Sequence, residues 1–327
     1  MGTARIPEAL LDRLRTEHRF LITSHRNPDG DAVGTSVGLA RLLRRLGKAT
    51  RVWLRDEVPA LYRPAITGEK VLTGERPPDG FPEAFDACIV LECPALDRTG
   101  LDEVLGDLAR ITIDHHLGNG LYGEVNWVDS AAPAVGEMAL QLAEALGIEL
   151  DEAAATPLFL ALVTDTGGFR FANATARAFS AGAELVREGA RPERVSQWLY
   201  ESRPLPTVRL IGEALRTLEL HAGGRVATVV VTTEMYRRCD ADSQDTEGLI
   251  DYPRSIAGVE AVSLVRELPD GTAKVSLRSR GAVDVEKLAR RHGGGGHKNA
   301  AGFLLERDVE SARRQVAAEL GELVGDA

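Results

Sequence analysis

The stretch FLITSHRNPDGDAVGTSVGLARLLRRLG, residues 20–47, decides the fold. Residues 20–25 read as a short buried strand, and Arg26–Gly30 as a tight Pro/Gly loop. From Asp31 to Leu46 the apolar positions Leu39, Leu42, Leu43 and Leu46 recur at helical spacing, and Gly47 is a helix stop. Outward from this strand–loop–helix unit the pattern repeats. Strands are expected at 50–54, 86–91 and 110–114, and a helix from about Pro133 to Leu146. The run 154–166 reads as a buried helix ending in a polar turn. Strands alternating with helices imply parallel βαβ units with helices on both sheet faces.

The texture changes at 186–215, where three prolines and a high Arg/Glu density suit a helical connector. Beyond it, 225–233, 261–268 and 273–280 read as strands, with Pro269-Asp270-Gly271 as the turn between the last two. Helices at about 283–291 and 308–323 complete the chain. The expectation is an α/β protein with a parallel-sheet domain over 1–190, a helical linker over 191–214, and a smaller mixed-sheet domain over 215–327. The 327 residues and 44% hydrophobic composition fit two ordinary globular domains.

A net charge of −10 argues against coating of duplex DNA, but leaves room for a small phosphorylated ligand in a local basic pocket. Such a pocket is visible: 278–298 holds six basic residues against two acidic. Three cysteines without C-x-x-C spacing argue against a disulfide framework or a zinc ribbon. Neither a signal peptide nor a run long enough to span a membrane is visible, so a cytoplasmic location without membrane contact is expected.

Five constellations carry chemistry. His25, Asp29 and Asp31 bring one imidazole and two carboxylates into one loop at a strand's carboxyl end, where open parallel sheets collect ligands. This donor set suits a divalent cation, manganese or magnesium by its carboxylates. A turn with Asp29 and Asp31 as caps is the plainer alternative. Asp114-His115-His116 ends another strand, where both rings can reach one crevice. Asp165 ends an apolar helix, at the end of the dipole that disfavours a carboxylate and that a cation would relieve. Glu92 ends the strand 86–91 and reads equally as a ligand or an exposed loop residue. Gly293–Gly296, before His297, offers consecutive N–H groups as an anion cradle, the alternative being a flexible linker.

Taken together, these motifs and GGGGHKNAAG at 293–302 resemble the DHH phosphoesterase family with its DHH-associated C-terminal domain, in particular its compact nanoRNase group. The resemblance covers nearly the whole chain. It implies a phosphohydrolase of short oligoribonucleotides and 3′-phosphoadenosine-5′-phosphate (pAp), working by hydroxide attack at two divalent cations, most readily Mn2+, with Mg2+ as the alternative. It implies that His25 and Asp29 hold one cation and Asp31, His115 and Asp165 the other. The bridging ligand, normally an Asp in the family, falls on Glu92. His116 would sit beside the scissile phosphate with Asp114 orienting the histidine pair. Arg278, Gly294, Gly295, Gly296 and His297 would hold the substrate. Linear or cyclic dinucleotides, polyphosphate, and a catalytically weakened nucleotide-binding regulator remain alternatives, and a homodimer is left open.

Overall fold

Strands rich in Val, Ile and Leu on both faces require cover on both sides, and the first sheet has this character. In the computed structural model, which describes residues 4–325, its strands are β1 (Arg19–Thr23), β2 (Ala49–Leu54), β3 (Val71–Thr73), β4 (Ala87–Leu91), β5 (Arg110–Asp114) and β6 (Val125–Val128). All pairings are parallel, in the order β3-β2-β1-β4-β5-β6. The chain therefore runs one way from β1 through β2 to β3, then returns to add β4, β5 and β6 on the other side. Between β1 and β4 the order reverses, and the carboxyl ends of those strands open a crevice.

The helices of this unit are α1 (Glu8–Thr16), α2 (Gly30–Arg45), α3 (Asp102–Leu105), α4 (Val135–Leu146), α5 (Glu152–Asp165), α6 (Ala176–Arg187) and α7 (Pro192–Tyr200). Phe20, Ile22, Ile89 and Ile111 of one sheet face pack on α1, α2 and α4. Leu21, Cys88 and Val90 of the other face pack on Phe85 and on Leu101 and Leu105 around α3. Helix α5 lies among α2, α4, α6 and α7 and is apolar nearly all round, as a buried helix must be. Its approach to α2 is set by small residues. A Cβ on Gly30 would stand 2.4 Å from the Thr164 side chain, so the N-terminus of α2 and the C-terminus of α5 meet with no space between.

The chain divides between Ser202 and Arg203. The stretch 191–214, expected as a linker, is helical on both sides of that division: α7 packs in the first unit and α8 (Leu205–Leu215) in the second. The second unit has β7 (Glu219–His221), β8 (Val226–Val231), β9 (Ala261–Glu267), β10 (Ala273–Ser279), β11 (Gly295–His297) and β12 (Ala300–Leu305). Their order is β11-β12-β10-β9-β8-β7, antiparallel except for β8–β9. Helices α9 (Thr233–Cys239) and α10 (Asp251–Arg254) lie with α8, while α11 (Val285–Arg291) and α12 (Val309–Gly325) cover the opposite core. Among the described residues no helix is long and apolar enough to cross a membrane.

Candidate metal centre

Each N-terminal candidate stands where an element ends at the crevice. His25 follows β1, Glu92 follows β4, and Asp114 closes β5 with His115 and His116 behind it. Asp29 caps α2, accepting from Ala32 N at 2.9 Å, so the capping role weighed from the sequence is real for this residue. Asp31 does something else. Its fully buried carboxylate accepts from Val135 N (2.7 Å) and Gly136 N (3.0 Å), the first amides of α4, and from Thr35 Oγ1 at 2.7 Å. It thus serves as the cap that Ala134, the residue preceding α4, cannot supply. Asp165 ends α5, held by Asn173 Nδ2 at 3.2 Å from its Oδ2.

These side chains form three groups whose ligand atoms lie within 4.8 Å of one another: His25–Asp29–Glu92, Asp31–His115–Asp165, and Glu92–His115–His116. Glu92 belongs to two of them. Its Oε2 lies 2.5 Å from His25 Nε2, and its Oε1 lies 3.4 Å from His116 Nε2 and 3.8 Å from His115 Nε2. The backbone at Glu92 is left-handed, with φ at +51°, an uncommon conformation for a residue with a Cβ.

The ring orientations are built rather than incidental. His25 Nδ1 is 2.7 Å from the Arg26 carbonyl and His115 Nδ1 is 3.1 Å from the Ala132 carbonyl, which leaves each Nε2 facing the crevice. A carbonyl behind the ring is the usual way a ligating imidazole is held. His116 Nδ1 meets Asp114 Oδ1 at 2.9 Å, and Asp114 is completely buried. Asn119 donates to Asp114 Oδ2 at 2.6 Å and to the Cys93 carbonyl at 3.2 Å, tying the ends of β4 and β5 together. Sequence reasoning missed Asn119, Asn173 and Thr35. Only Asn119 left a trace, as the Asn of a Gly-Asn-Gly turn.

Electrostatics test whether cations fit. Burial pushes the Glu92 carboxyl up to about 7, with Asp29 and Asp31 adding to the shift. Burial and the neighbouring Asp31 likewise raise Asp165 to about 7. Burial works against the His25 imidazolium, but Asp29 and Glu92 outweigh it and hold that ring up to about 11. Without other cations, protons are drawn into the cluster to balance its carboxylates. In addition, Glu92 Oε2 is excluded from solvent, and its 2.5 Å contact with His25 Nε2 is an ion pair outside hydrogen-bond angles. A set of four crowded carboxylates with three imidazole Nε2 atoms turned inward fits divalent cations in donor type and charge.

In the second unit, the register places Ala300 opposite Arg278 on one side and His297 on the other, so these residues share one level of the sheet. Arg278 is partly buried, which disfavours its charge, while Asp251 and Glu247 favour it. The glycine run is not the flexible linker weighed as the alternative. Gly295–His297 is not an open loop but a strand paired with β12. Its glycines permit close packing: a Cβ at Gly294 would stand 2.2 Å from the Gly302 carbonyl oxygen, and Gly296 has φ at +147°. The His297 side chain lies outside the described residues.

Residues 19–162 match the family model of the DHH family, N-terminal domain, and residues 223–324 that of the DHHA1 domain. The chain is 35% identical over 306 residues to a Thermus thermophilus protein named bifunctional oligoribonuclease and PAP phosphatase, covering 92% of this chain and 88% of that one. A Bacillus subtilis protein of the same name is 27% identical over 88% of this chain and 89% of its own. Among solved structures, an exopolyphosphatase-related protein of Bacteroides fragilis superimposes with a TM-score of 0.89 over 99% of this chain and all of that one, at 24% identity, a likeness of fold.

Proposed function

The chain belongs to the DHH family, with a DHHA1 domain following, and we propose that it is a metal-dependent phosphohydrolase of short oligoribonucleotides and pAp. The carrying observation is that Glu92 is shared between a group containing His25 and Asp29 and a group containing His115, itself part of the Asp31–His115–Asp165 set, all at the point where the strand order reverses. The relatives named above as oligoribonuclease and pAp phosphatase support the substrate class.

His25, Asp29 and Glu92 would hold one divalent cation, and Asp31, His115 and Asp165 the second, with Glu92 between them. Imidazole in both sets favours manganese over magnesium. Bound there, such cations supply Lewis acidity toward phosphoryl oxygens and make an attacking water more acidic. The chain's own residues do the rest. The Asp114 carboxylate fixes the His116 ring through Nδ1 and, against the effect of burial, raises its pKa. His116, whose Nε2 faces Glu92 across the crevice, would be placed to pass a proton to the leaving oxygen. Arg278 and the glycine run Gly294–Gly296, with His297, would grip the terminal phosphate end of the substrate, Arg278 by charge-assisted hydrogen bonds.

The test is phosphate release from pAp and cleavage of a ribodinucleotide and linear di-AMP, side by side, by the purified protein. Chelation should abolish turnover and Mn2+ should restore it better than Mg2+. Asp165→Asn should cost several orders of magnitude in rate. Undiminished turnover in excess chelator, or in Asp165→Asn, would sink the proposal.

A further inference from the structure

Arg177, the second residue of α6, has no part in the chemistry described so far, yet its guanidinium joins two buried acids that lie 40 and 48 residues before it. Nε and Nη2 fork onto Glu137 Oε1 (3.0 Å) and Oε2 (2.7 Å), while Nη1 reaches Asp129 Oδ2 at 2.7 Å. Both carboxylates are about 95% buried or more. The fork therefore pins the two ends of the segment 129–137 that leads from β6 into α4. Asp129 anchors that segment further, its N–H donating to the Asp114 carbonyl at 3.0 Å and its Oδ1 accepting from Ala131 N at 3.1 Å.

What the pinned segment does is specific. The Ala132 carbonyl holds His115 Nδ1, and Val135 N and Gly136 N hold Asp31. The Pro133 carbonyl accepts from Asn173 Nδ2 at 3.0 Å, and the same amide nitrogen reaches Asp165. All three members of the Asp31–His115–Asp165 group are thus oriented through residues 132–136. Among the described residues, His25, Asp29 and Glu92 take no hydrogen bond from this segment. A planar five-donor fork suits this task, because it can satisfy two carboxylates at once in fixed directions.

We propose that Arg177 is a positioning residue that fixes, through the 129–137 segment, one of the two cation sets and not the other. The inference rests on the two-cation reading above. It makes the two sets separable: losing the fork should loosen the Asp31–His115–Asp165 set while sparing the His25–Asp29–Glu92 set.

The experiment compares wild type, Arg177→Lys, Arg177→Met and the triple variant Arg177→Met/Asp129→Asn/Glu137→Gln, which leaves no buried carboxylate uncompensated and guards against simple unfolding. Mn2+ binding is followed by calorimetry, and the His115 ring nitrogens by NMR in the metal-free protein. Wild type should bind two ions. The methionine and triple variants should keep one site and weaken the other by about 10–100-fold. His115 ring resonances should shift while those of His25 stay in place, with partial recovery in Arg177→Lys. Two sites of unchanged affinity with an unmoved His115 ring would overturn the proposal. Equal weakening of both sites in step with a fall in Tm would also overturn it. Fewer than two ions in wild type would instead remove the two-cation reading, and the His115 resonances would still decide whether Arg177 positions that ring.

Discussion

Gly34 of α2 faces the Pro157 carbonyl of α5 so closely that a Cβ on the glycine would stand 2.3 Å from that oxygen. Backbone, not a flexible side chain, is the obstacle. Pro157 also lacks the N–H that would bond Ala153 one turn earlier, and Arg41 Nη1 meets that carbonyl instead at 2.6 Å. Gly34→Ala should push the two helices apart, at a cost of about 1–3 kcal/mol for an overpacked core. Because α2 carries Asp31 and α5 carries Asp165, cation affinity should fall along with Tm. A variant with the wild-type Tm and affinity would show that the contact yields freely.

Glu92 couples a carboxylate to a left-handed backbone, and substitutions can separate the two. Glu92→Ala and Glu92→Gly both remove the ligand and should deplete bound metal, measured by elemental analysis beside turnover. Glycine alone accepts φ near +51° without the penalty of about 1–2 kcal/mol that a Cβ brings. Chemical denaturation should therefore find Glu92→Gly more stable than Glu92→Ala by about 1 kcal/mol. Glu92→Asp should retain metal, since a carboxylate remains within the crevice. Full metal and full activity in the alanine variant would mean that Glu92 is no ligand.

Asp86 supplies the pH dependence of a surface far from the site. Its carboxylate accepts from Arg19 Nε and Nη2 at 3.0 and 2.6 Å and from the amides of His18 and Arg19 at 2.9 Å each. The Arg19 guanidinium beside it holds the carboxyl down at about 2, below its ordinary 3.8. A depressed folded-state value stabilises the fold above the unfolded value, and that contribution is lost as pH falls from about 3.9 through 2. NMR titration should place Asp86 near 2, and Asp86→Asn should flatten the acid limb of stability over that interval. An ordinary titration midpoint would break the link.

The three cysteines are free and buried, and burial pushes both Cys88 and Cys93 up to about 12. A thiol that stays protonated is a poor nucleophile. A disulfide-exchange reagent at pH 8 should label none of the three in the native protein and all three after unfolding. Fast native labelling of Cys93, which follows Glu92 directly, would reveal that the end of β4 opens readily.

The parallel α/β character of the first unit and the candidate ligands were legible because they rest on local signals: apolar runs, Pro/Gly loops, and acids and histidines at strand ends. The strand order was not, because it depends on pairings between distant segments. Residues 20–25 illustrate the limit. The strand stops at Thr23, since Ser24 Oγ donates to the Leu91 carbonyl at 2.7 Å and the chain turns to bring His25 toward β4. That contact spans 67 residues and no local pattern announces it. The same is true of Arg177, whose partners lie 40 and 48 residues away. The short strand β6 was also missed, because it is held by Trp127, buried in the core with its indole N–H on the Ala4 carbonyl. The glycine run at 293–296 has the composition of a loop, and only the facing Gly302 and Ala301 make part of it a strand.

The reversal of strand order also has a consequence for the growing chain. The first strand to leave the ribosome, β1, ends up in the sheet's interior, flanked by β2 made soon after and by β4 made much later. Parallel neighbours of this kind cannot zip from a hairpin, and each waits for its crossover to be synthesised. The last of the six candidate ligands, Asp165, arrives with the end of α5, more than a hundred residues after the first. Until then the nascent polypeptide carries His25, Asp29 and Asp31 on a half-built edge. The complete set of candidate ligands therefore exists only once the C-terminal end of α5 has been made, ahead of the residues that match the DHHA1 domain.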